Sequence, residues 1–215
     1  MLKIKTFVFN PFQENTFILY DETRECVIID AGNNDLNEKT ELFSFIEKNT
    51  LIPKYILNTH CHIDHIMGNA DVIEKYNIPS VAHKEDLPLI ERANDMALAF
   101  GFNVKEPPKP NKYVIDGDEI KFGNSVLKVR HVPGHSPGSI VFIANDERFA
   151  IVGDVLFKGS IGRTDLPGGD YNTLINSIKQ KLFSLNDDFI VYPGHGDSTT
   201  IHHERNTNPF LSNDG

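Results

Sequence analysis

The sequence predicts an α/β (α+β) protein, a layered sandwich of two mixed β-sheets flanked by helices. Each half of the chain runs through several strand-like segments to a helix and then one more strand. Short, largely apolar runs such as CVIID (26–30), KYILN (54–58), SIVFIA (139–144) and FAIVGD (149–154) have the pattern of strands covered on both faces. Between them lie segments whose apolar residues recur every three or four positions, as on helices packed along one side. These observations favour the sandwich over a doubly wound sheet, in which strand and helix alternate regularly.

Taken in order, LKIKTFVF (2–9) and NTFILY (15–20) read as strands joined by the loop NPFQE (10–14), with Asn and Pro as breakers. CVIID follows and is closed by AGNN. Asp35 with Glu38 resembles a capping box, and Leu36, Leu42, Phe43 and Ile46 form the apolar face of the helix it opens. KYILN ends immediately before a histidine-rich segment. A helix at 67–76, a strand at 80–83 and a helix from 86 to 100 come next, and then the rigid loop EPPKP (106–110). That loop is the one candidate internal boundary, and residues 1–215 are read as a single domain. The second half supplies strands at KYVI (112–115), EIKFG (119–123), SVLKVRHV (125–132), SIVFIA and FAIVGD. Asp170 caps a helix with Tyr171, Leu174, Ile175, Ile178 and Leu182 on its apolar face. FIVYP (189–193) is the last strand, and ERNTNPF (204–210) begins a short tail.

Bulk properties narrow the function classes. With 215 residues, 40% of them hydrophobic and 15 of them Phe, the chain can bury a sizeable core unaided. Only Cys26 and Cys61 occur, which is no disulfide framework, and a reducing, cytoplasmic setting is expected. The N-terminus alternates like a strand and lacks the apolar stretch and cleavage site of a signal peptide. No apolar run approaches the roughly 20 residues of a membrane span. A net charge of -9 without a Lys/Arg cluster argues against nucleic acid and anionic membranes as partners. A small-molecule substrate is expected; oligomeric state is not readable.

The informative segment is Asn58-Thr-His-Cys-His-Ile-Asp-His65. Imidazole and carboxylate are good ligands for zinc and neighbouring first-row metals. In a loop at the end of a buried strand, His60 and His62 can turn one way while Asp64 and His65 turn the other, so one segment can feed two adjacent metals. His135 in HVPGHSPG, Asp154 in AIVGDVLF and His195 in VYPGHGD each follow an apolar strand beside Gly or Pro. Loops at strand ends are where sites on such scaffolds gather. Seven ligand-type residues on four such loops point to a metal centre.

With these motifs in hand, T-H-x-H-x-D-H, a strand-end His in PGH, a strand-end Asp in GD and a final PGH resemble the metallo-β-lactamase superfamily, and VIIDAG (27–32) resembles its first motif. GDVLFKGSIGRTDLPGGD and PGHGDSTT…ERNTNPFL are similar to short glyoxalase II-like proteins, thioesterases of the hydroxyacylglutathione hydrolase type. The resemblance implies a four-layer αβ/βα sandwich, the metallo-β-lactamase fold. It implies His60, His62 and His135 on a first metal, Asp64, His65 and His195 on a second, and Asp154 bridging. Asp30 would support the ligand loop without touching metal. The cofactors implied are two divalent ions, zinc foremost, with iron or manganese as alternatives. A hydroxide bridging the metals would be the nucleophile for thioester hydrolysis, with Asp64 and Asp154 acting catalytically through it. Arg163 and Phe12 are candidate substrate contacts, although for Arg163 an ion pair with Asp165 that shapes the loop is the simpler expectation. Full-length glyoxalase II enzymes carry a C-terminal helical domain that helps bind glutathione; nothing after ERNTNPFLSNDG supplies one, so glutathione specificity is not implied.

Other readings share these residues. Persulfide dioxygenases have T-H-C-H-x-D-H and G-R-T-D-F and would hold one iron through His60, His135 and Asp154; Leu166 stands here in place of that Phe. A lactonase or β-lactamase would share the metal site, and a non-enzyme metal-binding module is a third class. Gly134-His-Ser136-Pro-Gly138 matches a nucleophile elbow, yet Pro137 has no N–H for an oxyanion hole and a strand follows rather than a helix. His83 and His131 are expected to be structural, and His202 and His203 solvated.

Overall fold

The computed structural model describes residues 1–102 and 104–211. In the first half, β1 (Lys3–Phe9), β2 (Glu14–Tyr20) and β3 (Glu25–Ile29) pair antiparallel in sequence. After α1 (Leu36–Lys48), β4 (Ile52–Leu57) joins β3 in parallel. Then come α2 (Ile63–Ile66), α3 (Asn69–Tyr76), β5 (Ser80–Ala82), α4 (Leu87–Glu91), α5 (Ala93–Ala99) and β6 (Lys112–Tyr113). These six strands form one mixed sheet in the order β1-β2-β3-β4-β5-β6. In the second half, β7 (Glu119–Phe122), β8 (Ser125–His131), β9 (Ile140–Ala144) and β10 (Phe149–Gly153) run antiparallel. A small hairpin of β11 (Leu156–Phe157) and β12 (Ser160–Ile161) follows, then α6 (Tyr171–Ser177) with a wider π-type turn over Ile178–Leu182. β13 (Ile190–Pro193) pairs with β10 in parallel and with β14 (Thr199–Thr200) antiparallel, and α7 (Ile201–Thr207) is the last helix. The second mixed sheet has the order β14-β13-β10-β9-β8-β7.

The alternation of strand side chains builds the layers. Phe17, Leu19, Val27 and Ile29 face inward and meet Leu127, Val129, Ile140 and Phe142 of the opposite sheet. Their strand neighbours Ile18, Cys26 and Ile28 face outward, onto Leu42, Phe43 and Ile46 of α1 and Val72 of α3. On the far side Val141, Ile143, Ala150 and Val152 are covered by Leu174 and the turn residues Ile178 and Leu182. The central strands of each sheet are thus buried on both faces, the αβ/βα arrangement that the near-continuous apolar runs call for.

Several elements differ from the sequence reading. Asp35 accepts from the N–H groups of Asn37 and Glu38, but Glu38 does not close the box. Its carboxylate instead accepts from the N–H groups of Asn10 and Asn34, tying the β1–β2 loop to α1. The helix expected over 86–100 is two helices that break at Arg92 (φ -103°, ψ 2°). The expected tail contains α7, capped by the Thr200 hydroxyl on the His203 N–H. Buried Glu204 anchors it, accepting from Thr199 Oγ1, the Gly159 N–H and Asn208 Nδ2.

Candidate metal centre

The strand-end loops converge at one edge of the sandwich. From the first sheet come Asp30 after β3 and the 58–65 segment after β4; from the second come His135 after β8, Asp154 after β10 and His195 after β13. Close approach of the two sheets is allowed by glycines. Gly153 adopts φ +53°, and a Cβ there would lie 2.2 Å from Thr59 Oγ1. A Cβ on Gly194 would lie 2.6 Å from His65 Cε1.

All seven residues named from the sequence as ligands come together here, in two groups. His62 Nδ1 lies 2.9 Å and His60 Nε2 3.2 Å from His135 Nε2. In the second group His195 Nε2 is 3.2 Å and His65 Nε2 3.7 Å from Asp64 Oδ2. Asp154 lies between the groups, its carboxylate oxygens 3.4 Å from His65 Nε2, 3.5 Å from His195 Nε2 and 3.7 Å from His135 Nε2.

Four imidazoles have a fixed tautomer, because one ring nitrogen of each meets an oxygen that can only accept or is already donating. His65 Nδ1 donates to Asp30 Oδ2 (3.1 Å), His135 Nδ1 to the Arg163 carbonyl (2.8 Å), and His195 Nδ1 to the Phe12 carbonyl (3.0 Å). Thr59 Oγ1 donates to Asp30 Oδ2 (2.6 Å), so His60 Nδ1 donates to Thr59 Oγ1 (3.1 Å). Each ring therefore turns Nε2 into the centre, the orientation imposed on metal-binding histidines by their outer partners. Asp30, expected to support the ligand loop, is fully buried at φ +52° and also accepts from the Thr59 N–H at 2.7 Å.

The site's polar atoms fit a metal better than they fit one another. His65 Nε2 and Asp154 Oδ1 are buried without a hydrogen-bond partner, a costly state unless a cation completes it. Tetrahedral zinc with Zn–N of about 2.0–2.1 Å would set neighbouring ligand atoms about 3.3 Å apart, close to the spacings in both groups. Burial, aided by neighbouring imidazoles, pushes His60 well down and His62 down to about 4, leaving both neutral as ligation requires. Burial also opposes charge on His65 and His195, but Asp64 and Asp154 outweigh it and raise both. The same pairing overrides desolvation at Asp64 and Asp154 and keeps both carboxylates ionised.

Two buried acids were not singled out from the sequence. Asp86 accepts from the N–H groups of Cys61 (2.9 Å) and Gly138 (2.6 Å) and from Ser136 Oγ (2.9 Å), fastening the 58–65 loop to the His135 loop. Glu14 is wholly buried 3.8 Å from His65 Nδ1, accepts from Thr16 Oγ1, and is pushed well up by desolvation. Neither sits at ligand spacing, so no pattern marked them. Ser136 is buried and spends its hydroxyl on Asp86, which agrees with rejecting the nucleophile elbow. His83 and His131 stack with centroids 4.1 Å apart near Glu85. His131 Nε2 donates to the Pro137 carbonyl at 2.8 Å, a structural role.

A cleft of about 280 Å³ opens over the centre. Phe12 and Arg163 both line it, as do Cys61, Leu166 and the α4–α5 pair. Arg163 forms the local ion pair with Asp165, both contacts at 2.8 Å. Cys61 is a buried thiol raised by desolvation, hence neutral. No helix among the described residues is long and apolar enough to cross a membrane.

Residues 9–195 match the model of the metallo-beta-lactamase superfamily. The chain is 37% identical to hydroxyacylglutathione hydrolase GloC of Haemophilus influenzae, over 98% of this chain and 99% of that one. Among solved structures it is similar to the BLEG-1 B3 metallo-beta-lactamase, at 34% identity and TM-score 0.90 over 98% of this chain and 100% of that one. It is also similar to TTHA1623 in a di-iron-bound form, at 38% identity and TM-score 0.87 over 96% and 100%. ETHE1 from Myxococcus xanthus is more distant, at 26% identity and TM-score 0.78 over 96% and 83%. With fold, converging ligands and family model in agreement, the chain belongs to the metallo-β-lactamase superfamily and is a metal-dependent hydrolase.

Proposed function

We propose that this protein hydrolyses thioesters in the manner of hydroxyacylglutathione hydrolases, with two divalent ions, zinc foremost, held by His60, His62 and His135 on one side and Asp64, His65 and His195 on the other. The observation that carries the reading is the position of Asp154, within 3.7 Å of ligand nitrogens of both groups. Ions bound there would lower the pKa of a shared water and polarise the scissile carbonyl. The protein's own part is positional. Asp30, Thr59 and the Arg163 and Phe12 carbonyls hold four imidazoles in the ligating tautomer, and the apolar rim keeps bulk water from the reacting centre. Similarity to GloC along nearly the whole chain supports a thioester as substrate. The free, buried Cys26 and Cys61 suit a reducing cytoplasm.

The T-H-C-H-x-D-H and G-R-T-D motifs support a second reading, a dioxygenase with one iron on His60, His135 and Asp154. Elemental analysis of natively purified protein, followed by a panel of small hydroxyacyl thioesters, separates the two. Up to two metals per chain with thioester turnover is the expected result. One tightly held iron with an empty second group and oxygen consumption would promote the dioxygenase. No turnover of any thioester by fully metallated protein would remove the thioesterase reading.

A further inference from the structure

The cleft over the metal centre has a chemical asymmetry that the metal ligands do not explain. Leu89 of α4, Ala93 and Met96 of α5 and Phe100 at the C-cap of α5 all line the cleft and give it an apolar wall. Met96 and Phe100 are 39% and 54% exposed, so this face is open to whatever enters. Phe12 of the β1–β2 loop packs against Phe100 with centroids 5.3 Å apart and holds the helix pair over the site. Two cations also line the cleft, Arg92 at the helix break and Arg163. Arg163 is occupied by its bidentate contact with Asp165. Arg92 is exposed, and its guanidinium makes no hydrogen bond or ion pair with any described residue. A guanidinium left without a carboxylate beside this apolar wall suits an anion brought by the ligand, since such a pair is both charge-assisted and geometrically selective.

We infer that the substrate carries an apolar arm ending in an anion, the arm lying along the Leu89–Phe100 face and the carboxylate or phosphate meeting Arg92. This rests on the thioesterase reading for the identity of the scissile bond, and it names the substrate class more closely: not a short polar thioester but an amphipathic anionic one. Arg92 is a specificity-determining residue and takes no part in bond cleavage.

The test uses metal-loaded full chain and matched thioesters with one hydroxyacyl group. Their alkyl thiol arms end in a carboxylate, a phosphate or a neutral amide, and a second set carries the alkyl arm on the acyl side. The readout is the ratio of kcat/KM for anionic over amide substrates. About a tenfold preference is expected in the parent, falling to near unity in Arg92→Gln and largely restored in Arg92→Lys. In Arg163→Gln the ratio is expected to stay within about threefold of the parent. The two sets identify which half bears the arm, and the carboxylate and phosphate arms identify the anion. A ratio unchanged in Arg92→Gln, or abolished in Arg163→Gln, would overturn the inference while leaving thioesterase activity standing. Calorimetric binding of the matching thioethers, which cannot be hydrolysed, gives a second readout. Weaker binding of the anionic thioether alone in Arg92→Gln, without turnover of any thioester, would sustain the inference and remove the thioesterase reading.

Discussion

At the scale of single residues, the centre is a competition between protons and metal. In the metal-free protein His65 and His195 have raised pKa values, because Asp64 and Asp154 sit against them. For these groups the folded pKa lies above the unfolded one. The stabilisation they give the metal-free fold is full below about pH 6.5 and is lost as pH rises through the raised values. Metal must displace those protons, whereas His60 and His62 are already neutral and the two carboxylates already ionised. Titration with zinc at pH 7 is therefore expected to release about one to two protons, read as the buffer-dependence of the calorimetric heat. The release should shrink, and apparent affinity rise, as pH climbs; heats independent of buffer would contradict this. Asp154→Asn removes the charge between the two groups and should cost more metal and more rate than any single His→Ala in the site. Retention of two metals and most activity in that variant would end the bridging assignment. Ser136→Ala should leave kcat within a few-fold while costing about 1–2 kcal/mol of stability, because its hydroxyl supports the buried Asp86 carboxylate. A thousandfold loss of rate with metals intact would revive a serine nucleophile. The convergence of the seven donor side chains was legible in the sequence because all of them fall on strand-end loops. Asp86 and Glu14 were not, since a lone acid before a helix or in a hairpin loop has no spacing to betray what it will meet across the fold.

At the scale of elements, the strands were legible where both faces are buried, since the apolar run itself states the environment. Three of the four shortest strands were not: β11, β12 and β14 span two residues each and are set by tertiary pairing. The 86–100 segment has an unbroken helical period, so nothing in it announced the break at Arg92. α7 hid behind a polar composition, and its buried Ile201 and Glu204 show that it is packed. The β1–β2 loop now has a definite task. Phe12 offers its carbonyl to His195 and its ring to Phe100 and Phe102. Phe12→Ala keeps the carbonyl and removes the ring, which is worth about 0.5–1.5 kcal/mol per aromatic contact. KM should rise several-fold with metal content unchanged. Loss of metal instead would mean that the ring, and not the carbonyl, positions His195.

At the scale of the whole molecule, His60, His62, Asp64 and His65 come from the first sheet's loops, and His135, Asp154 and His195 from the second's. Bound metal therefore clamps two layers otherwise joined mainly by apolar packing. With free metal at about a thousand times its Kd, the clamp adds about 4 kcal/mol. For a chain of this size that corresponds to about 8–16 °C in Tm between chelated and loaded protein. A shift under 2 °C would mean that the site is peripheral to stability.

The contact between His195 and Phe12 joins residues 183 apart in the chain. Such a closure is among the last a folding chain can make, because so much intervening loop must first be organised. During synthesis the first-sheet ligands emerge long before their partners, and an early-bound ion would meet only half its shell. Maturation of the centre is thus a timing problem as well as an affinity problem. In refolding, tight metal uptake should trail the recovery of secondary structure, keeping the centre inert until the N-terminal loop has docked.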